Sequence, residues 1–224
     1  MAVRLERVVV VKELSFNMMT KKLILIFVRN PILGQVKTRL AASLGNEMAL
    51  KIYQLLLSHT AKITDAVQAD KIVFYSESIV NYDIWDEKKY QKTIQTKGDL
   101  GQRMNEAFEQ AFGLGYEHVV IIGSDLYSLK TKHLEKAFDQ LNHHDVVIGP
   151  AKDGGYYLLG LKTKMPYLFS NKKWSQNTVL KDTISDLAGL SVCRLETLND
   201  IDTISDLKQE PELIKKLNID GKIY

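Results

Sequence analysis

Val119-Val120-Ile121-Ile122-Gly123-Ser124-Asp125 is the stretch on which the fold turns. Its four consecutive apolar residues, all β-branched, predict a strand buried on both faces. That is the pattern of a central parallel strand, whereas an amphipathic antiparallel strand alternates. In an open α/β sheet, ligands sit in the crevice beyond the carboxyl ends of the strands. Asp125, emerging at such an end with Ser124 beside it, is therefore the first candidate for a functional carboxylate.

Upstream, Leu23-Ile24-Leu25-Ile26-Phe27-Val28 is a second fully apolar run and the best candidate for the first sheet strand. Pro31 stops it, Gly34 permits an unusual backbone dihedral, and Lys37, Thr38 and Arg39 place two cations and a hydroxyl in the loop that follows. Val36 stands where a nucleotide triphosphatase loop needs glycine before its lysine, so this is a phosphate-binding arrangement without that signature. Apolar residues at helical spacing from Asn46 to Val67 predict one or two helices, and Lys71–Tyr75 predicts the next strand. Strand, helix and strand make a right-handed βαβ unit and point to a doubly wound α/β fold.

From Ser76 to Thr96 the pattern is irregular, and Tyr82, Trp85 and Tyr90 read as satellite core packing. Gly98-Asp99-Leu100-Gly101-Gln102-Arg103 then runs into a helix with Met104, Ala107, Phe108, Ala111 and Phe112 on its apolar face. Asp99 is its expected cap, and Gly98 with Arg103 forms a second candidate anion site at the helix start.

Downstream of the organising strand, Thr131 opens a helix, Asp145–Pro150 predicts a buried strand closing in Gly-Pro, and a second apolar run follows within Ala151–Leu161. The gap between those strands is too short for a helical crossover, so they are not a βαβ pair. Asp153-Gly154-Gly155 lies in that gap as an open-backed turn that a ligand can approach closely. A late strand over Ser191–Leu195, a paired-carboxylate loop at Asp200-Ile201-Asp202 and a final helix over Pro211–Leu217 complete the chain.

Bulk properties narrow the class. A chain of 224 residues, 45% hydrophobic and 25% charged, has the composition of one ordinary globular domain. The net charge of +3 is spread along the chain, so Lys162, Lys164, Lys172 and Lys173 read as a solvated surface and nucleic acid is not an expected partner. Cys193, the one cysteine, reads as a buried strand residue with no disulfide partner, which fits a reducing, cytoplasmic setting. No run approaches the roughly 18 apolar residues of a membrane helix. Residues 1–20 read as an N-terminal extension with an optional edge strand around Val8–Val11, preceding a single domain over residues 21–224.

Collected, the chain offers cations after the first strand, a carboxylate after a central strand, a glycine turn with Asp153, and a late Asp-x-Asp. A divalent cation held by aspartates bridges diphosphate oxygens and stabilises a phosphate leaving group. That is the chemistry of nucleotide or sugar transfer, and the residues alone do not choose between the bonds. A Gly-x-Ser-x-Gly elbow and a spaced Cys/His set are both absent, and so is the Gly-x-Gly-x-x-Gly run of dinucleotide binders.

The segments FVRNPILGQVKTRL (27–40), GDLGQRM (98–104), IIGSDLYSL (121–129), DVVIGPAKDGGYYLLGL (145–161) and DIDTISDL (200–207) resemble the glycosyltransferase-like, DUF2064-type family related to phospholactate guanylyltransferase. The resemblance runs from about Lys22 to about Leu207. It implies an α/β, Rossmann-like three-layer sandwich with a mostly parallel central sheet, the glycosyltransferase type A fold of nucleotide-diphospho-sugar transferases. By that resemblance Lys37 and Arg39 face nucleotide phosphates, Asp125 and Asp153 are the ligands of Mg or Mn, and Gly154 and Gly155 line the substrate side. Gly34, Thr38, Gly98, Arg103 and Ser124 complete the expected nucleotide-binding set. The family pattern Asp-x-Pro is Asp125-Leu126-Tyr127 here, which puts Tyr127 where a substrate would approach. The leading expectation is sugar transfer from a nucleotide-diphospho-sugar. The alternatives are nucleotidyl transfer from a nucleoside triphosphate to a phosphorylated small molecule, and a non-catalytic nucleotide-binding module.

Overall fold

A computed structural model describes residues 21–219; the extension expected over residues 1–20 lies outside the described residues. The elements run β1 (Lys22–Val28), α1 (Thr38–Leu44), α2 (Asn46–Asp65), β2 (Asp70–Tyr75), β3 (Gln91–Ile94), α3 (Leu100–Gly113) and β4 (His118–Ile122). They continue with α4 (Thr131–Leu141), β5 (Val146–Pro150), β6 (Tyr156–Leu161), a 3-10 turn at Pro166–Phe169, α5 (Val179–Asp186), β7 (Val192–Arg194), α6 (Ile204–Leu207) and α7 (Pro211–Leu217).

One seven-stranded sheet in the order β3-β2-β1-β4-β6-β5-β7 forms the middle layer. Strands β1, β2, β3 and β4 pair in parallel, as do β5 and β7, while β6 runs antiparallel to both of its neighbours. The short β5–β6 connection explains the exception, because only a reversal fits in so few residues. The organising strand β4 is thus central, as its apolar run predicts, but parallel to β1 and antiparallel to β6.

Burial on both faces follows from strand alternation. Ile24, Ile26, Val120 and Ile122 pack with Tyr53 and Ile63 of α2 and with Leu134 and Phe138 of α4. Leu23, Leu25, Val119 and Ile121 pack on the opposite face with Met104, Phe108 and Ala111 of α3 and with Leu168 and Phe169. Full burial of each Ile or Leu contributes roughly 1.5–3 kcal/mol, so an unbroken apolar run is most stable where both faces are covered. A third cluster packs Leu40, Ala49, Ile52 and Leu56 of α1 and α2 with Ile201, Leu207, Leu213, Ile214 and Leu217. It folds the C-terminal part of the chain back beside the carboxyl end of β4.

Four local expectations change. The irregular stretch after Ser76 contains β3, an edge strand with a single apolar residue, Ile94, and hence no periodic signal. Trp85 and Tyr90 are core residues there, as the packing reading expects, whereas Tyr82 is exposed. Thr38 and Arg39 stand in the first turn of α1, not in a loop. Cys193 is only partly buried because β7 is a sheet edge. Lys162, Lys164 and Lys172 each pair with a carboxylate, from Asp145, Glu109 and Asp186 respectively. Among the described residues, no helix is long and apolar enough to cross a membrane.

Candidate functional site

The chain leaves β1 for β2 and β3 on one side and later returns to β4 on the other. Connections diverge at that point, and the divergence opens a crevice beyond the strand ends. A cleft of about 460 Å³ occupies it. One end is carboxylate-rich, with Arg39, Asp125, Asp153, Asp200 and Asp202; the other is apolar, with Phe27, Leu100, Met104, Tyr156 and Trp174.

The carboxylate end is assembled by the main chain. The amide of Ile201 donates to the carbonyl of Asp125 at 3.0 Å, which straps the Asp200–Asp202 loop to the end of β4. Ile201 is fully buried in the third cluster, and its neighbours Asp200 and Asp202 reach the cleft. Below them Asp206 accepts from the amide and hydroxyl of Thr203 and from Asn199 Nδ2, bracing the loop. Burial alone would push the Asp206 carboxyl up, but these hydrogen bonds hold it below the usual range.

Each predicted cation meets a carboxylate here. The Lys37 ammonium lies 3.1 Å from Asp125 Oδ2, with its side chain only 7% exposed. Arg39 Nη1 lies 2.7 Å from Asp202 Oδ2 at the cleft rim. Lys37 reaches inward from a left-handed backbone, φ 49°, at the start of α1. Non-glycine residues adopt that region rarely, so the position is over-determined by its surroundings. The Asp200 carboxyl is pushed up to about 6 by burial and by the charges of Asp125 and Asp153, against the lowering influence of Lys37. Three carboxylates thus share one electrostatic environment.

Asp153 stands across the cleft on the β5–β6 turn, where its Oδ1 accepts from the Gly155 amide at 2.8 Å. Gly154 has φ 91°, and a Cβ there would lie 2.1 Å from the carbonyl oxygen of Asn177. The Leu180 amide donates to the Gly154 carbonyl at 2.9 Å, so the turn is latched to the segment that walls the apolar end. Only glycine satisfies both the dihedral and the approach.

Other expected residues lie apart from the cleft lining. Ser124 Oγ sits 3.3 Å from the Tyr53 hydroxyl, which accepts from the Arg29 amide and donates to the Arg29 carbonyl. Burial pushes the Tyr53 hydroxyl up to about 12, so it braces the β1 and β4 ends as a neutral group. Gly34 forms a turn beside Asn46, and Thr38 lies in the first turn of α1. At the start of α3, Asp99 and Gln102 close a capping box on each other, Gly98 abuts Gln102, and Arg103 Nη1 donates to Gln95 Oε1 at 2.9 Å. Tyr127 packs away from the cleft against His59, with Lys216 over its ring. The missing proline therefore does not put an aromatic ring into the substrate space.

The two residues absent from the expected site are Asp200 and Asp202. Their sequence signal was a carboxylate pair around one apolar residue, legible as a pair but not attributable to this cleft without the Ile201 anchor. As to a metal, among the described residues no three His, Cys, Asp or Glu side chains close to form an ion cage. Mg²⁺ usually takes one or two carboxylates together with substrate phosphates and water. The hard oxygen donors of Asp125, Asp153, Asp200 and Asp202 fit that mode, a cation arriving with phosphates.

A mixed sheet with a strand-end cleft lined by aspartates and flanked by two cations defines a protein with the fold of nucleotidyltransferases and nucleotide-diphospho-sugar transferases. The family described as "Uncharacterized protein conserved in bacteria (DUF2064)" matches residues 59–176, just over half of the chain, and the chain belongs to it. A solved structure from Desulfovibrio desulfuricans G20, provisionally named a nucleotide-diphospho-sugar transferase, is 31% identical with a TM-score of 0.83, over 92% of this chain and 97% of that one. The 2-phospho-L-lactate guanylyltransferase of Methanocaldococcus vulcanius is 29% identical over 210 residues, 88% of this chain and 92% of that protein. A cytidylyltransferase from Leptospira borgpetersenii, 15% identical with a TM-score of 0.59 over 91% of this chain and 96% of its own, shares the fold.

Proposed function

We propose that the protein is a nucleotidyltransferase that joins a nucleoside triphosphate to a phosphorylated small molecule and releases pyrophosphate. The observation that carries this reading is the gathering of Arg39, Asp125 and Asp200 in the cleft lining, with the buried Lys37 ammonium paired to Asp125 behind it. A triphosphate with its divalent cation presents the matching alternation of negative oxygens and positive metal. The guanylyltransferase name of the relative matched over most of both chains supports the same reaction class.

In the proposed reaction a phosphate oxygen of the acceptor attacks the α-phosphorus. The bond from that phosphorus to the bridging α–β oxygen breaks, and pyrophosphate leaves with the electron pair. A phosphate monoester, with a second pKa near 6, is largely dianionic at neutral pH, so the nucleophile needs no general base. Lys37, buried and fixed, places positive charge where the phosphates gather charge, and Arg39 does so from the rim. Asp125 and Asp200 are the carboxylates that would hold Mg or Mn; the bound cation would screen the triphosphate and stabilise the leaving group.

Sugar transfer is the second reading, favoured by the provisional name of the relative at 31% identity. One assay separates the two. The full chain is incubated with Mg²⁺, a panel of nucleoside triphosphates including GTP, and phosphorylated hydroxy acids, and pyrophosphate is measured. In parallel, nucleotide sugars are offered and nucleoside diphosphate is measured. Pyrophosphate that depends on acceptor supports nucleotidyl transfer; nucleoside diphosphate from a sugar donor alone replaces it with sugar transfer.

A further inference from the structure

The apolar end of the cleft contains an aromatic ring with an unusual setting. The indole of Trp174 rests against the first turn of α3, where Gly101 makes room for it. A Cβ on Gly101 would stand 2.4–2.5 Å from three indole atoms. The same indole forms part of the cleft wall, and its Nε1 is buried with no hydrogen-bond partner. Asn171 and Ser175, on either side of it, both hold left-handed φ values, 56° and 63°. The segment is latched at its far end through Gly154, so its position relative to the Asp153 turn is set. Nε1 lies on the Gly101 side of the ring, buried against α3, so the indole is seated on the helix while it lines the cleft, held between two residues in a strained backbone region.

Resting on the nucleotidyltransferase reading, we propose that Trp174, backed by Gly101, is the stacking platform for the nucleobase. The two ends of the cleft differ in chemistry as the two ends of a nucleotide do. Phosphates and metal belong with Arg39, Asp125 and Asp200, and a flat heterocycle belongs with Phe27, Tyr156 and Trp174. A phosphorylated hydroxy acid has no flat ring to offer, so the apolar end does not suit the acceptor. Aromatic stacking tolerates every base, since each has a π-face. Trp174 therefore supplies affinity for nucleotides over bare polyphosphate, and base choice lies with other groups.

Trp174 and Trp85 are the two tryptophans of the chain, and Trp85 is buried in the core. Intrinsic fluorescence and calorimetry on the full chain with Mg²⁺ test the proposal, with GTP and inorganic tripolyphosphate as probes and Trp174→Phe, Trp174→Ala and Gly101→Ala as variants. The expected result is quenching by GTP but not by tripolyphosphate. Trp174→Ala should weaken GTP about tenfold and leave tripolyphosphate within about twofold, the size of one lost base stack. Trp174→Phe should lose the quench and keep most of the affinity. Gly101→Ala, whose Cβ displaces the indole, should mimic Trp174→Ala while keeping the tryptophan, and it decides the matter if Trp174→Ala fails to fold. Equal GTP affinity in wild type and folded Trp174→Ala overturns the stacking role, as does quenching by the phosphorylated acid alone. If neither GTP nor tripolyphosphate binds the wild type, the nucleotidyltransferase reading falls as well; if both bind equally tightly, only the stacking inference falls.

Discussion

Two segments of this chain look alike on paper and end differently. Gly34–Arg39 and Gly98–Arg103 each combine glycine, a polar residue and at least one cation at a helix start after a strand, and each reads as an anion site. In the first, the side chains leave their own segment: Lys37 meets Asp125 from β4, and Arg39 meets Asp202 from the C-terminal loop. In the second, the polar groups are satisfied locally. Asp99 caps α3 with its own carboxylate, Gln102 returns the bond, and Arg103 turns to Gln95. A capping carboxylate already supplies the negative charge that a helix amino end favours. On the proposed function the first segment is the anion site, because its cations lack local partners and meet the cleft carboxylates across the fold.

The comparison makes its strongest demand on Lys37. Lys37→Ala should lower turnover by about 10²–10³-fold, the scale seen when one preorganised electrostatic partner of a reacting group is removed. Steady-state pyrophosphate release checks this, and a loss below about threefold would put the first segment on a par with the second.

The next effect in size concerns Asp200, beside Lys37, and it is a stability effect. Its folded value of about 6 exceeds its ordinary 3.8, so the native state holds the proton more tightly than the unfolded chain. Its contribution is most favourable below pH 4 and is lost as pH rises through about 6. Asp200→Asn should remove that penalty and stabilise the metal-free protein at pH 7 by about 1–2 kcal/mol, after allowance for solvent screening at an open cleft. Denaturant midpoints at pH 4 and pH 7 in chelator would show the gain at the higher pH only.

In the second segment, Asp99→Ala should cost about 1 kcal/mol through loss of the α3 cap. For a chain of this size that lowers the melting temperature by about 2–4 °C. Turnover per folded molecule should stay within about twofold; a Lys37-like loss would make the α3 start functional after all. Smallest of all, Tyr127→Phe should leave both turnover and nucleotide affinity unchanged, since the ring packs on His59 outside the cleft. A clear change in affinity by calorimetry would return Tyr127 to the site.

The apolar runs at Leu23–Val28, Val119–Ile122 and Val146–Ile148 determined the sheet, because only burial on both faces satisfies an unbroken apolar sequence. The periodic segments likewise placed α2, α3, α4 and α7 close to their observed bounds. Strand β3 escaped because a half-exposed edge strand needs no hydrophobic pattern, only a neighbour with free backbone groups. Lys37, Arg39, Asp125 and Asp153 were legible as strand-end or turn residues of the types that handle phosphate. Asp200 and Asp202 were legible as a carboxylate pair but not as members of this cleft, since nothing in a short Asp-x-Asp loop specifies which strand end it joins.

Sequence by itself therefore determined the layers and the larger part of the polar set, through local periodicity and turn chemistry. Only the tertiary structure decided that Ile201 would bury in a third cluster and bond to Asp125, and that Gly101 would leave space for Trp174. The physical reason is the same in both cases. A contact between residues distant in the chain depends on how whole elements pack, and no short window of sequence records that packing.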